Sequence, residues 1–481
     1  MASLGLFPGH GVGFLRLGAA LYDVLTALKV DQKRFTKLKI SYSPSSPLTV
    51  PVVVELPENG LRLRFDGEQQ RLRLIEILDI DKDQYTVKND PVIHASDQSA
   101  GPSQLMYRRV YQLFGASYPG EYMPPSNGSR KGTYVVSYPG IALSFLLDPA
   151  AWSPQVDHAK MLAEAGACVS SIAIFEGKSW AEARKDLFTR KPSLPQSLLP
   201  ITRHKEGSPD EVESIAVQAE NMLHFSRRVS NPVTVKLGET TAQDLINDFG
   251  PPDSIYKRPG DGSDSTVRPA RASRRRSSSV VPRSFGSTPS SISSTNTDTY
   301  DADFEEDDGI DGPDVVRHEE QYYCYFQHGF DALVGPAADG PKGLAPTSLQ
   351  PVVTRMILHG NVPGSFEFNR HRRSRWTLEH VKGRGGVTSE SKFGEVHDQL
   401  IGRFRAQWPE REMKEGMVIV RDWAGDSPSG SAILIGEGAE SEEEEAGVRD
   451  GEQWLKNTQL YKFPGLMFEV MHNGAISALT L

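Results

Sequence analysis

FPGLMFEVMHNGAISALTL, which runs from Phe463 to Leu481, contains the clearest structural signal in the chain. Apolar residues alternate with other residues on both sides of an Asn473-Gly474 pair. Such alternation is typical of β-strands with one buried face, and Asn-Gly between two of them is a strong signal for a two-residue hairpin turn. This turn places Phe468 opposite Leu479, so that apolar side chains face each other across the pair. The stretch therefore predicts an antiparallel hairpin, entered through a Pro-Gly turn.

The first strand of this hairpin follows a pattern that occurs at four places in the chain. A glycine is followed by apolar residues one, three and five positions later, starting at Gly60, Gly140, Gly329 and Gly465. A second strand-like run follows each of them, and a helix-like segment precedes each of them. The order helix, glycine, strand, strand predicts an α+β fold of repeated units. Each unit would consist of one helix plus an antiparallel hairpin or meander, and long disordered insertions would interrupt the later units.

Start and stop signals mark the ends of the predicted helices. The third helix begins with a capping box, Thr241 to Asp244, and stops at Gly250-Pro251. The second ends at Gly115, which suits a C-terminal cap, and the fourth ends before Pro409. The four helices are predicted within FLRLGAALYDVLTAL, QLMYRRVYQLFG, VKLGETTAQDLINDFGPP and SKFGEVHDQLIGRFRAQWP.

Two long polar stretches interrupt the repeats. Residues 258–314 are rich in Ser, Thr, Pro and Gly and pass from basic to acidic, a composition that predicts a disordered insertion. Residues 425–453 are polar and acidic and predict a flexible loop. The predicted division of the chain is a first unit at 1–90, a second unit at 101–180, a connecting segment at 181–228, a third unit at 229–257 and 315–380, and a fourth unit at 388–424 and 454–481.

The composition limits the classes of function. The chain has 53 Lys+Arg against 62 Asp+Glu, and its formal net charge of −9 argues against nucleic acid or an anionic membrane as a chain-wide partner. No apolar stretch reaches the roughly 18 residues that a membrane helix needs, and the glycine-interrupted N-terminus lacks the basic start of a signal peptide. Cys168 and Cys324 lie in strand-like runs and are expected to be reduced core residues. The sequence thus predicts a cytoplasmic protein.

Known motifs for catalysis or metal binding do not occur in the sequence. The sequence contains no HExxH, CxxC or GxSxG motif. The 12 histidines do not have the spacing of metal ligands. His328 and His472 are expected to be turn or rim residues. GHGVGF (Gly9 to Phe14) lacks the ending of a phosphate-binding loop and is interpreted as a turn into a strand. DIDKDQ (Asp79 to Gln84) lacks the glycine of a calcium loop and is interpreted as a solvated strand end. The sequence predicts no catalytic, cofactor or metal site, although a dispersed site stays open.

One basic cluster, FNRHRRSRW, has two interpretations that stay open. It could be a docking patch for a phosphate group, such as a phosphoinositide headgroup or a phosphorylated partner. It could instead be a solvated strand whose Phe366 and Phe368 face the core. The residues of this predicted anion or partner patch are Arg370, Arg372, Arg373, Arg375 and Trp376.

A second basic run, RRRSSS, lies in the predicted disordered insertion. It places Ser277, Ser278 and Ser279 next to three arginines, where a kinase that recognises basic residues could phosphorylate them. Phosphorylation would neutralise the local basic charge.

Several segments in both parts of the chain resemble the phagosome assembly factor 1 family. In the N-terminal part they are SYSPSSPL, NGLRLRFDGEQQRLRLIEI, LFGASYPGEY and YPGIALSFLLD. In the C-terminal part they are DLINDFGPPDSIYKR, YYCYFQHGFDALV, ILHGNVPGSFEFNRHRRSRW and FPGLMFEVMHNGAISALTL. These segments follow the order of the family and include nearly all of the predicted strands. The chain departs from animal members by the insertion before Asp314, by an interrupted third hairpin and by the acidic loop.

This resemblance implies a non-enzymatic autophagy factor. It implies a complex with a WD40 β-propeller partner, the breast-carcinoma-amplified sequence three protein, whose propeller contacts phosphoinositides. The chain would then be a cytoplasmic adaptor that is recruited peripherally to the phagophore assembly site, with no catalytic residues, cofactor or nucleic acid. Two alternatives stay open: a lipid- or phosphoinositide-binding module whose sheets enclose an apolar pocket, and a hydrolase with a dispersed site.

Overall fold

Two copies of one arrangement of helices and strands follow each other along the chain. Each copy contains a five-stranded sheet and an eight-stranded antiparallel sheet. We call residues 3–191 the first half and residues 210–481 the second half. The predicted α+β class, with repeated units of one helix and an antiparallel meander, is confirmed. The computed structural model describes residues 3–93, 105–125, 130–191, 210–219, 221–257, 320–337, 350–381, 386–419 and 457–481.

The described residues of the first half form 13 strands and four α-helices. They are β1 Leu4–Phe7, β2 Gly11–Val12, β3 Leu15–Arg16, α1 Leu21–Val30, β4 Lys39–Ser41, β5 Val52–Leu56, β6 Leu61–Phe65, β7 Leu72–Ile77, β8 Tyr85–Val87, β9 Asp90–Pro91, α2 Tyr107–Phe114, β10 Glu121–Met123, β11 Gly132–Tyr138, β12 Ile141–Leu147, α3 His158–Glu164, β13 Val169–Phe175 and α4 Trp180–Asp186.

The described residues of the second half form 13 strands and three α-helices. They are β14 Val212–Val217, β15 Met222–Arg227, β16 Val233–Lys236, α5 Ala242–Phe249, β17 Ser254–Lys257, β18 Gln321–Tyr325, β19 Phe330–Gly335, β20 Val352–His359, β21 Trp376–Leu378, β22 Val387–Thr388, α6 Phe393–Phe404, α7 Glu410–Lys414, β23 Met417–Ile419, β24 Thr458–Phe463, β25 Leu466–Met471 and β26 Ile476–Thr480.

The two halves have the same strand order. The eight-stranded sheets are β10-β11-β12-β13-β7-β6-β5-β4 and β23-β24-β25-β26-β20-β19-β18-β17. The five-stranded sheets are β3-β2-β1-β8-β9 and β16-β15-β14-β21-β22. Every strand of the second half therefore corresponds to the strand numbered 13 lower in the first half. The chain is a tandem repeat of two halves, and each half contains two of the predicted units.

Each unit is larger than the sequence pattern indicated. A helix is followed by a meander of four antiparallel strands, where the pattern predicted two. The two meanders of a half join through β7 and β13 in the first half and through β20 and β26 in the second. The pattern did not include β5, β11, β18 and β24, which precede the repeat glycines. It also missed the outermost strands, β4, β10, β17 and β23, because these short edge strands bury none of their side chains and so show no apolar alternation.

The glycine of the repeat pattern has the same conformation in all four units. Gly60, Gly140, Gly329 and Gly465 have φ values of +64°, +79°, +83° and +71°. Residues with a Cβ rarely adopt such values. Each glycine stands one position before the strand that follows it, β6, β12, β19 or β25. The recurring glycine is therefore the residue that turns the chain into the strand.

Each half has its own hydrophobic core, to which its helices and both of its sheets contribute. In the first half, α1 buries Leu21, Val24, Leu25 and Leu28, the four positions that the helical spacing predicted. The helix therefore packs one apolar face on the sheets and leaves the opposite face to solvent.

The core of the second half is centred on aromatic rings. Phe468 on β25 is fully buried. The rings of Phe393, Phe463 and Trp376 surround it at centroid distances of 5.6, 5.7 and 6.2 Å. These separations are in the range in which tilted and edge-to-face aromatic pairs attract each other.

The C-terminal hairpin has the predicted register but a longer loop. Phe468 pairs with Leu479, as predicted. The N–H of Met471 donates to the carbonyl of Ala475. This bond closes a loop of three residues, 472–474. A one-residue register shift after position 469 accommodates the extra residue.

The reason for the longer loop lies in Asn473. The two-residue Asn-Gly turn needs a positive φ at both residues, whereas here only Gly474 has one, at +81°. The Asn473 side chain instead donates to the carbonyl of Pro44, in the first half, at 2.7 Å. The asparagine thus connects the two halves.

The capping box of α5 allows a first prediction. Thr241 Oγ1 accepts from the N–H of Asp244 at 3.2 Å, and the Asp244 carboxylate accepts from the N–H of Thr241 at 3.1 Å, as the sequence predicted. Thr241→Ala is expected to lower the free energy of unfolding by about 1 kcal/mol, because it leaves a helix N–H without its acceptor. Urea denaturation measures this, and Gln243→Ala, at an exposed position of the same turn, is the control. Equal stability of the two variants would contradict the capping role.

The region predicted as a connecting segment, 181–228, contains β14 and β15 within its described residues, 181–191, 210–219 and 221–228. β14 pairs with β15 on one side and, in parallel, with β21 on the other. The segment therefore begins the five-stranded sheet of the second half.

The predicted disordered insertion at 258–314, the acidic loop at 425–453 and the phosphorylation sites Ser277, Ser278 and Ser279 lie outside the described residues. Both cysteines are free thiols. Cys324 is buried as expected, whereas Cys168 is partly exposed at the start of β13. Within the described ranges, no helix is long and apolar enough to cross a bilayer.

Candidate functional site at the joint between the halves

Residues 360–375, between β20 and β21, connect the second half to the first; we call them the bridging segment. Phe368 packs against the core of the first half. Val362 belongs to a small apolar cluster with Leu48 of the first half. The segment forms turns and no strand, which differs from the solvated strand considered above. Its path places residues of both halves in one buried joint.

The Val362-Pro363-Gly364 step brings the bridging segment close to the first half. Gly364 has a φ of +87°. A Cβ at this position would lie 2.7 Å from the hydroxyl oxygen of Tyr42. Glycine is therefore needed here both for its backbone conformation and for the close approach.

A pair of buried amides joins the two halves directly. The Gln70 side chain donates to the Asn361 carbonyl at 2.7 Å, and the Asn361 side chain donates to Gln70 Oε1 at 2.9 Å. Both residues have a positive φ, +53° and +46°, which is uncommon outside glycine. Because the amides satisfy each other in a buried position, separating the halves would leave polar groups without partners.

Glu211 is the central carboxylate of the joint. It accepts from Arg71 of the first half, and its Oε1 lies 3.4 Å from Nη1 of Arg372. Arg228 lies 3.7 Å from its Oε2, and Arg372 also pairs with Asp23 of the first half. Burial alone would raise the pKa of Glu211, but the arginines outweigh burial and hold the pKa below its ordinary value. Glu211 is therefore ionised at neutral pH, and its charge is shared by arginines of both halves.

A second set of ion pairs lies beside the first. Arg373 donates to the carbonyl of Glu68 at 2.7 Å, and Arg375 contacts the Glu68 carboxylate at 3.1 Å. Arg375 also donates to Glu390 Oε1 at 2.8 Å. Burial would raise the pKa of Glu390, but Arg373 and Arg375 outweigh it and lower the pKa. The arginines of the joint are thus balanced by carboxylates of the protein.

A small polar cavity lies at the joint. Its volume is about 20 Å³, and Gln70, Arg71, Glu211 and Arg372 contribute to its lining. A space of this size holds about one water molecule. A space of this size has no room for a phosphate headgroup or an acyl chain.

The structure places most of the predicted anion patch inside this joint. Trp376 is buried in the second core, and Arg372 and Arg373 are 8% and 6% exposed. Arg375 is partly buried between two carboxylates. Arg370 keeps the largest exposed side chain, 42%, and lies 3.3 Å from Glu367. The arginines are buried because carboxylates distant in sequence neutralise them, which a local pattern does not reveal; anion binding stays a prediction, centred on Arg370.

Asp331, His359 and His371 form a buried polar cluster next to the joint. Asp331 lies on β19, His359 ends β20, and His371 belongs to the bridging segment. Nε2 of His359 lies 3.0 Å from Oδ2 of Asp331, and Nε2 of His371 lies 2.9 Å from Oδ1. The two imidazole rings stack with their centroids 3.7 Å apart and their planes 10° apart. The two imidazoles therefore form hydrogen bonds with different oxygens of the same carboxylate.

The surroundings fix the charge of this cluster. Burial would raise the pKa of Asp331, but its hydrogen bonds with His359 and His371 lower the pKa far below the ordinary range. Burial and the neighbouring His359 lower the pKa of His371. Burial and the neighbouring Asp331 carboxylate raise the pKa of the Cys324 thiol. Glu367 Oε2 lies 3.8 Å from Nδ1 of His371. At neutral pH the cluster thus combines an ionised carboxylate with a neutral His371.

This is the only group of three or more metal-ligating side chains in the described ranges, and no motif in the sequence indicated it. His359 and His371 have no regular spacing, and Asp331 lies on another strand. Asp331 also points to the sheet face opposite the core, since its neighbour Phe330 is a core residue. The bridging segment buries that face, and its path could not be predicted. The one local signal was a charged residue two positions after a repeat glycine, Gly329.

The remaining sequence motifs have structural roles. Gly9 to Phe14 forms a turn that leads into and out of β2, as expected. Asp79 to Gln84 is less solvated than expected, because Asp83 is buried and pairs with Arg34 at 2.5 Å. His328 lies in a turn but is buried, and His472 lies in an exposed turn.

The tandem fold and its buried, charge-paired joint define a two-half α+β protein. In the part of the chain that the structure describes, the two halves share no continuous sheet and are joined by the bridging segment. The chain belongs to the phagosome assembly factor 1 family, whose model matches residues 11–268 and 311–481 and so includes both halves.

Curated relatives come from a plant, a nematode and an insect. The PHAF1 protein of Arabidopsis thaliana is 33% identical over 141 residues, 29% of this chain and 32% of the relative. A PHAF1 protein of Caenorhabditis elegans is 27% identical, over 27% of this chain and 28% of the relative. A PHAF1 protein of Drosophila melanogaster is 26% identical, over 33% of this chain and 33% of the relative. The chain spans about a third of the length of the curated relatives it matches. No solved structure matches the chain.

Proposed function

We propose that the protein is a non-enzymatic adaptor in autophagy that acts in complex with a WD40 β-propeller protein of the breast-carcinoma-amplified sequence three type. The complex reaches the phagophore assembly site peripherally, through contacts of the propeller with phosphoinositides. The observation that carries the proposal is the family match, which extends over both halves. The family's description as an assembly factor supports a role in assembly rather than catalysis.

The joint supports the adaptor role on physical grounds. An adaptor has to hold its binding surfaces at a fixed distance and angle. The Gln70–Asn361 amide pair and the ion pairs of Glu211 fix the halves at several points. Opening them would expose buried polar groups and unpaired charges, which is unfavourable.

The two edges of the second eight-stranded sheet are the surfaces that we assign to the partner. Ile255 and Tyr256 on β17 are 50% and 46% exposed, and Met417 and Val418 on β23 are 63% and 55% exposed. Neighbouring apolar side chains on an edge strand are unfavourable in water and favour pairing with another chain. A partner could add a strand there or cover these side chains.

Affinity purification from starved cells tests the proposal. The tagged chain is expected to recover a WD40 propeller protein, and Ile255→Glu or Val418→Glu is expected to reduce recovery at least several-fold. Val229→Glu, at an exposed valine outside both edge strands, is expected to leave recovery unchanged. If the wild-type chain recovers no propeller protein from starved or fed cells, the adaptor proposal in this form is wrong.

The lipid-binding alternative has less support in the described part of the chain. The cavity at the joint is too small for a lipid, and the buried arginines already have carboxylate partners. The purified chain alone is therefore expected not to float with vesicles that contain phosphoinositides. Flotation without the partner, abolished by Arg370→Glu, would favour the alternative.

A further inference from the structure

The Asp331–His359–His371 cluster has the composition of a zinc site. Imidazole nitrogen and carboxylate oxygen are common zinc ligands, whereas calcium and magnesium prefer six or more oxygen ligands. The ligand atoms of all three residues lie within 4.8 Å of one another. His359 and His371 are 7% and 0% exposed, so the site is shielded from water. We propose that these three residues bind a zinc ion, and that the ion fastens the bridging segment to the sheet of the second half.

The distances agree with this assignment. Ligand atoms about 2.0–2.1 Å from a tetrahedral zinc ion are about 3.3 Å from each other. The two Nε2 atoms are 3.0 and 2.9 Å from the carboxylate oxygens of Asp331. Each Nε2 lies next to a different oxygen of Asp331, so the ligand atoms, which lie within 4.8 Å of one another, reach this common separation by a tilt of the stacked rings.

The proton balance also favours a metal. In the hydrogen-bonded form each Nε2 carries a proton that it donates to Asp331. A zinc ion takes the Nε2 lone pair, so the ring proton resides on Nδ1 instead. Nδ1 of His371 is buried and has no hydrogen-bond partner among the described residues, but Glu367 Oε2 lies 3.8 Å away. A carboxylate that receives the second N–H of a zinc-bound histidine is the usual outer partner in such sites.

Cys324 is the donor that we assign to the fourth position. It is 2% exposed and lies opposite Asp331 on the adjacent strand β18, and because its Sγ is not among the ligand atoms that lie within 4.8 Å of one another, its side chain has to rotate toward the ion to bind it. Binding would release the thiol proton to solvent and leave a thiolate on the ion. Two imidazoles, one carboxylate and one thiolate favour zinc over harder divalent cations.

Metal analysis of the full-length chain tests the inference. Protein purified without chelators is expected to contain about one zinc ion per chain by plasma mass spectrometry. The double substitution His359→Gln/His371→Gln is expected to lose it, because glutamine can still donate to Asp331 but offers no imidazole. His397→Gln is the matched control: His397 is a partly buried histidine outside the cluster that bonds to the carbonyl of Met413. It is expected to retain the metal.

A second measurement does not depend on the variants. Addition of a strong zinc chelator is expected to lower the melting temperature of the wild-type chain, and the cobalt-substituted protein is expected to show tetrahedral bands and a thiolate charge-transfer band. A wild-type chain that takes up neither zinc nor cobalt would overturn the proposal, as would metal retained by the double variant. A cobalt spectrum without the thiolate band would exclude Cys324 as a ligand. These outcomes are independent of whether a propeller partner is recovered.

Discussion

Glu211→Gln is expected to lower the free energy of unfolding by about 3–5 kcal/mol, the usual effect of removing one partner from a buried ion pair. The carboxylate faces Arg71 and Arg372, and the three side chains are 9–11% exposed. Glutamine has almost the same shape but no charge. The guanidinium groups of Arg71, in the first half, and Arg372, in the second half, would then remain buried with less negative charge beside them.

Chemical denaturation of the wild type and the variant measures the difference. Glu213→Gln is the control, because Glu213 lies two positions further along and is exposed; such a surface change is expected to alter stability by less than about 0.5 kcal/mol. Adding Arg71→Met to Glu211→Gln should recover part of the loss, since it removes an unpaired charge. If both glutamine variants are equally stable, the charge of Glu211 does not hold the joint.

The same carboxylate gives the joint a defined pH dependence. The pKa of Glu211 is lowered in the folded chain from its ordinary value of 4.5. A group with a lowered pKa stabilises the fold above its unfolded-state value, and this stabilisation is lost as the pH falls through the folded-state value. The difference in the free energy of unfolding between wild type and Glu211→Gln should therefore be largest at neutral pH. It should shrink as the pH falls below the ordinary glutamate pKa of 4.5.

Phe468→Ala is expected to lower the free energy of unfolding by about 3–5 kcal/mol, the range for removing a buried aromatic ring. Phe468 is fully buried, and the rings of Phe393, Phe463 and Trp376 would line the cavity left behind. These rings belong to α6, β24 and β21, so the cavity would weaken three elements at once.

Denaturation curves and partner recovery together check this prediction. Phe468→Leu keeps most of the apolar volume and should be less destabilising, while Met417→Ala, at an exposed position, should have little effect on stability. Partner binding should fall only in proportion to unfolding. A Phe468→Ala chain that is stably folded yet does not bind would mean that Phe468 belongs to a contact surface and not to the core.

The repeats could be predicted because their signals are local. A recurring glycine and an alternation of period two require only neighbouring residues, and all four glycines of the pattern have a positive φ. The capping box of α5 and the Phe468–Leu479 pair were predictable for the same reason. The edge strands were not, because no buried face imposes a pattern on them.

The joint could not be predicted because its partners are far apart in sequence. Arg372 pairs with Asp23, 349 positions away, and Arg71 with Glu211, 140 positions away. A run of arginines read alone indicates an exposed basic patch, and only the fold reveals the buried carboxylates. The histidine cluster was missed for a related reason: His371 reaches Asp331 only through the turns of the bridging segment.

The pairing of the edge hairpins has a practical consequence for protein engineering. Lys257 pairs with Gln321, and Ile419 pairs with Thr458. The paired residues that flank the stretches 258–320 and 420–457 are therefore held about 5 Å apart by the sheet, whatever length of chain lies between them. A reporter domain whose own termini are close together would fit such a position without altering the register. A fluorescent tag inserted there leaves strand β26 at the centre of its sheet. Because these positions adjoin the edge strands that we assign to the partner, a tagged chain that still recovers the partner is required.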